Sequence, residues 1–197
     1  MPEKKKVKKK KNIYSFKNVI LNKKSYAKRF AGNNKELYDL LMDCFNANIE
    51  TVKSHPSKET KNVIKKPYIT FRINDYNESY LQKLIGALEK DHMIITFAFN
   101  HLGHKTVTFK TLKEDSSMFV EIQKILFGEV EETDKALLKV YTFIRNLKGV
   151  NTSIKLLFDE GEMRYYINTS DDNILEDLEK KLFPSLEEID GSINVFK

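Results

Sequence analysis

The chain has 197 residues, 41% of them hydrophobic, and 34 Lys and Arg against 28 Asp and Glu give a formal charge of +6. That apolar share excludes a disordered body and is enough for one core or two small ones. A single cysteine, Cys44, excludes an internal disulfide and a thiolate zinc cage, and no apolar run approaches the ~18 residues of a membrane span.

The first twelve residues read as a disordered Lys-rich tail. Lys4, Lys5, Lys6, Lys8, Lys9, Lys10 and Lys11 repel one another, and Val7 alone offers little to bury. Such a polycation reaches phosphates and releases their counterions, so its binding falls steeply with salt. A solubilising tail, an acidic lipid surface or a nuclear-import signal are the other uses of this composition. No apolar stretch of the kind found in a signal peptide follows the lysines, so the expected location is cytoplasmic, nucleoid-associated, or nuclear in a eukaryotic or viral setting.

Residues 13–66 are expected to form an N-terminal strand and helix segment followed by a loop. Ile13 to Leu21 is rich in strand-forming residues and reads as a first strand or extended arm. Ser25 to Phe30 reads as a short basic amphipathic turn, and Lys23, Lys24, Lys28 and Arg29 extend the cationic footprint of the tail. Leu37, Leu40, Leu41, Cys44, Phe45 and Ile49 recur at helical spacing, which predicts a helix over residues 35–53 with Cys44 in its buried stripe. Residues 54–66 are polar, contain Pro56, and read as an exposed loop.

Residues 67–131 read as a first α+β unit. Pro67 to Asn74 alternates, with Ile69, Phe71 and Ile73 on one side and Tyr68, Thr70 and Arg72 on the other. Asn77 then reads as the cap of a helix carrying Tyr80, Leu81, Leu84, Ile85 and Leu88. Strands over 93–100 and 105–111 flank the turn His101-Leu102-Gly103-His104, and a helix follows from Met118 to Phe127.

Residues 132–197 repeat that order. Thr133 is the expected cap of a helix that Gly149 stops. Strands 152–158 and 163–168 flank Asp159-Glu160-Gly161-Glu162. A helix capped by Ser170-Asp171-Asp172 runs to Leu182, and a last strand covers 192–196. Phe127 matches Phe183 and Met118 matches Ile174, an offset of about 56 residues. The expected fold is therefore α+β, a mainly antiparallel sheet with helices on one face. It would be built as a tandem helix–strand–strand–helix repeat of ferredoxin-like modules.

Charge is segregated along the chain. Residues 1–30 carry twelve basic residues and one acid, whereas residues 113–197 carry eleven basic and eighteen acidic ones. No phosphate-binding loop, dinucleotide fingerprint or nucleophile–base spacing is present, which predicts a chain that is not an enzyme and needs no cofactor. His101 and His104 face each other across a turn, but two ligands do not make a metal site, so none is expected. The acid pairs Glu131-Glu132, Asp159-Glu160, Asp171-Asp172 and Glu187-Glu188 fall at helix starts and in turns, where they complement dipoles or stay solvated.

Aromatics interleaved with cations on a sheet face grip single-stranded nucleic acid. Tyr68 and Arg72 share one face of their strand, and Arg164, Tyr166 and Asn168 alternate with Met163, Tyr165 and Ile167; an ordinary polar outer face is the other reading of both patterns. The residues expected to contact nucleic acid, DNA or RNA, are the seven tail lysines, Lys23, Lys24, Lys28, Arg29, Tyr68 and Arg72. The alternative function is a protein-interaction module in which the acidic C-terminal half, with Asp171, Asp172, Glu176 and Asp177, binds a basic partner.

Residues 133–196 resemble the N-terminal, non-ATPase region of conjugation and type IV secretion ATPases. The likeness rests on Ser153-Ile154-Lys155-Leu156-Leu157-Phe158, on Met163-Arg164-Tyr165-Tyr166-Ile167, and on the run from Leu178 through Phe183-Pro184 to Ile189. The motor domain and its nucleotide loop are missing from this chain. The resemblance therefore implies at most a docking module of a DNA-handling or secretion machine, without ATP hydrolysis, while the protein-interaction alternative is a docking module of a phage, mobile-element or DNA-transfer machine.

Overall fold

Strands β5 (Met93–Phe99) and β7 (Thr152–Asp159) alternate strictly between buried and half-buried residues, and β8 (Glu162–Asn168) between buried and mostly exposed ones. Such a period of two fixes one face of a sheet to a core and leaves the other open. A computed structural model describes residues 16–60, 63–130, 134–148, 151–169, 172–182, 184 and 191–192. The tail lysines Lys4 to Lys11 lie outside these residues.

The other strands are β1 (Thr51–His55), β2 (Lys58–Thr60), β3 (Val63–Lys65), β4 (Tyr68–Arg72), β6 (Lys105–Thr111) and β9 (Gly191–Ser192). The main sheet runs β1-β4-β6-β5-β7-β8-β9, antiparallel throughout except for the short parallel pairing of β9 with β8. β2 and β3 form a separate hairpin between β1 and β4. The helices are α1 (Phe16–Leu21), α2 (Lys23–Ala31), α3 (Lys35–Asn46), α4 (Glu78–Ala87), α5 (Ser117–Phe127), α6 (Lys135–Asn146) and α7 (Asp172–Asp177). α7 continues as a wider π-type turn over Leu178–Leu182.

Every helix contributes to one apolar cluster, which takes the same face of β4 to β8: Ile69 and Phe71, Ile95 and Phe97, Val107 and Phe109, Ile154 and Leu156, Tyr165 and Ile167. Phe71 meets Phe109 edge-on at 6.1 Å, and Phe97 packs on Tyr141 of α6 at 6.4 Å. The helices therefore lie on one side of the sheet, as the α+β reading expects. The helix–strand–strand–helix order occurs twice, as α4-β5-β6-α5 and α6-β7-β8-α7. The two stretches share one sheet, because β5 pairs with β7 in register from Met93 opposite Phe158 to Phe99 opposite Thr152.

Several local expectations are corrected. The stretch read as a first strand is helical from Phe16, with Val19 buried. The short basic turn is the nine-residue helix α2, whose Ala27 and Ala31 are fully buried. The helix predicted over 35–53 ends at Asn46; Asn48 takes a left-handed backbone (φ 58°) and the chain re-enters as β1. The polar loop 54–66 holds the end of β1 and the β2–β3 hairpin. α6 is capped by Asp134, whose Oδ1 accepts from Leu137 N at 2.7 Å; the expected cap Thr133 lies outside the described residues. So do Gly149, Ser170, Asp171 and residues 193–196 of the last strand.

Candidate nucleic-acid interface

The face of the sheet turned away from the helices carries the side chains that alternate with the core. Register aligns them in three rows. The first is His55, Tyr68, Lys110, Ile94, Leu157 and Arg164. The second is Lys53, Thr70, Thr108, Thr96, Lys155 and Tyr166, and the third is Arg72, Thr106, Ala98, Ser153 and Asn168. At ~4.8 Å between strands, a six-residue row is about 24 Å long.

Both ends of this surface carry an aromatic ring beside a base. On the β1–β4 side the His55 and Tyr68 rings stack, with centroids 6.0 Å apart and planes tilted by 17°. On the β7–β8 side Lys155 Nζ lies 4.9 Å above the Tyr166 ring. Threonines fill the middle, where Thr70 and Thr108 share a hydroxyl hydrogen bond of 2.8 Å. Small hydroxyl-bearing residues keep this part of the face low, so the longer cations and rings stand around a floor. A concavity of about 410 Å³ opens there, with Lys53, Thr70, Arg72, His104, Thr106 and Thr108 among its walls.

Arg72 is anchored at the edge of the face. Its Nε meets Glu50 Oε1 at 3.4 Å, and Asn74 Nδ2 donates to the other Glu50 oxygen at 3.1 Å. Beyond Arg72 a second hollow of about 510 Å³ continues over the end of the sheet, past His104 to Lys105 and Arg145. Arg145 is held by Asp75 at 3.0 Å and Glu78 at 2.9 Å. Lys105 donates to the Arg145 carbonyl and lies 5.4 Å from the centre of the Phe99 ring. Burial, and secondly the Arg145 charge, hold the Lys105 pKa below the ordinary lysine value.

Tyr68 and Arg72 thus lie on the open face, as their alternation predicts, and Arg164, Tyr166 and Asn168 join them there. Lys23, Lys24, Lys28 and Arg29 belong to α2, in the helix layer, where α2 packs against α3 and β1. Lys23 Nζ donates to Asn46 Oδ1 at 3.2 Å, and Lys24, Lys28 and Arg29 are exposed. They flank the β1 edge and do not share the open face. Sequence reasoning missed Lys53, Lys110 and Lys155. Lys110 and Lys155 were within reach of the alternation in their strands; Lys53 was hidden by the over-long helix.

Among the acids of the rival reading, Glu176 pairs with Lys180 and Asp177 with Lys181 along one helical face. Among the described residues no helix is long and apolar enough to cross a membrane. Comparison with protein-family models, with curated proteins and with solved structures finds no match.

Proposed function

We propose that the chain is a non-enzymatic, nucleic-acid-associated binding or scaffold protein. Its polylysine tail contacts phosphates, and its open sheet face receives a single strand. The observation that carries this reading is the open face itself. Lys53, Arg72, Lys110, Lys155 and Arg164 stand on it with Tyr68 and Tyr166, around a floor of threonines. Stacking rings and flanking cations are the two elements of single-strand binding, and neither requires a fixed base sequence. Phosphate contacts would orient the strand and supply most of the affinity.

The test is fluorescence anisotropy with labelled single- and double-stranded DNA and RNA, at several salt concentrations. The full chain is compared with a chain beginning at Phe16. A cut at residue 31 would also strip α1 and α2, whose Val19 and Ala27 are part of the core. Loss of the tail should flatten the log–log salt slope by ~0.7 per single-strand phosphate contact removed. In the shortened chain, Tyr166→Ala should weaken single-strand binding roughly 5- to 150-fold, the value of one stacked base. Lys53→Ala, Lys110→Ala and Lys155→Ala together should reduce the remaining slope by about 2. A shortened chain that binds as tightly with these changes as without them refutes the role of the face. Absence of binding by the full chain at physiological salt refutes the whole reading.

A further inference from the structure

One row beyond Ile94, Leu157 and Arg164, the open face ends in a corner of different character. Asp91 and His92 lead into β5, and Asp159 ends β7. His92 Nδ1 lies 2.7 Å from Asp159 Oδ1, and His92 Nε2 lies 3.3 Å from Asp91 Oδ2. One donor atom from each of the three residues lies within 4.8 Å of the others. The His92 backbone is left-handed (φ 59°), an uncommon conformation for a residue with a Cβ, and its carbonyl accepts from Leu112 N at 2.7 Å. The imidazole thus projects from a backbone pinned to the end of β6.

We propose that Asp91, His92 and Asp159 bind one first-row divalent metal ion, with zinc as the probe. The donor set is one imidazole nitrogen and two carboxylate oxygens, which suits zinc or its neighbours better than magnesium or calcium, whose sites are built from oxygen. Ligands ~2.1 Å from a tetrahedral ion lie about 3.4 Å apart, and one ion takes only one ring nitrogen, so the aspartate nearer the other nitrogen must turn toward the chosen one. Both aspartate side chains are 47% exposed, which leaves them room to turn. Solvent completes the coordination. The surroundings favour a cation: Glu160 and Glu162 occupy the same turn, and the nearby Arg164 guanidinium is taken up by Glu162 at 2.7 Å.

The position gives the ion a mechanical role. β5 and β7 are the strands through which the β5–β6 and β7–β8 hairpins join. An ion held by the residues before β5 and at the end of β7 would cross-link that joint, and its binding energy would add to the stability of the folded chain.

Isothermal titration of the full chain with zinc, manganese and magnesium tests this, alongside thermal unfolding with and without each ion. The expected result is one zinc per chain, and a rise in Tm of about 5–10 °C at ~100-fold excess over Kd. Asp91→Asn and His92→Asn should each abolish both effects; asparagine tolerates the left-handed backbone at 92. The double variant His101→Gln and His104→Gln should leave both effects intact. Circular dichroism of each variant establishes that it is folded. No zinc heat, equal binding of magnesium, or zinc binding that survives His92→Asn and is lost with His101 and His104 would each overturn the proposal.

Discussion

Replacing Asn77 by alanine should cost more stability than any other single polar substitution proposed for this chain. Asn77 is fully buried. Its Oδ1 accepts from Glu50 N at 3.0 Å, and its Nδ2 donates to Glu50 O at 3.0 Å and to Arg72 O at 2.8 Å. The residue expected to cap α4 makes no side-chain cap bond; its amide instead clips the approach to β1 onto the end of β4. Alanine removes three hydrogen bonds, each with a net value of ~1 kcal/mol, and orphans a buried N–H, so the loss should be about 3 kcal/mol. A domain has ~5–15 kcal/mol in all, and for this size the loss corresponds to a Tm lower by about 6–12 °C. Asn77→Asp keeps the acceptor for Glu50 N but sets a carboxylate against two carbonyl oxygens, and should be no better at neutral pH. Thermal and urea unfolding followed by circular dichroism measure both variants. A Tm loss below about 2 °C in both would refute the clip. Because Glu50 anchors Arg72, a confirmed clip would also mean that the open face depends on this buried amide.

Two further predictions follow from groups whose surroundings shift their titration. Burial raises the Glu121 carboxyl above its ordinary value, against the hydrogen bond that its Oε1 accepts from Glu89 N at 2.8 Å. A carboxyl that holds its proton more tightly when folded loses stability as pH rises from the unfolded pKa to the folded one. Glu121→Gln should therefore be more stable than the parent at pH 7 and equal to it below about pH 4, as urea unfolding at the two pH values would measure. Equal stability at pH 7 would contradict it. Cys44 is wholly buried, and burial, with the Asp43 charge second, pushes its thiol far above the usual range. The native chain should leave a thiol reagent unreacted at pH 8 and consume one equivalent once unfolded; rapid reaction of the native chain would refute that burial.

The central sheet was legible because β4 to β8 each alternate over five or more residues, and a period of two has one folded solution. The first fifty residues were not. Phe16, Val19 and Ile20 are strand formers by propensity, and they become helical because α1 packs on α2 and α3, a tertiary effect that overrides a weak local preference. Ile49 continues the apolar spacing of α3 after the helix has ended, since it is buried in the same core from an extended stretch. The spacing therefore ran on past Asn48, where the left-handed backbone marks the true stop. At the site, alternation alone put Tyr68 with Arg72 and Arg164 with Tyr166. It could not put the two pairs on one surface, because that depends on the pairing of β5 with β7, a contact between residues about sixty positions apart.

Strand register also changes what the charge segregation means. By composition the last 85 residues are acidic, and a basic partner would be the natural expectation for them. In the fold Asp159, Glu160 and Glu162 lie at the β7–β8 turn and Asp172, Glu176 and Asp177 on α7, while Lys155 and Arg164 of the same stretch stand on the open face beside Lys53, Arg72 and Lys110 from the middle of the chain. An acidic segment and a basic surface thus coexist, because alternation sends neighbouring residues to opposite sides and turns gather what the strands exclude. The choice between the nucleic-acid reading and the basic-partner reading is therefore a choice between two surfaces rather than two halves of the sequence. Substitutions at Lys155 and at Glu176, only 21 residues apart, should separate the two readings more cleanly than any truncation between them.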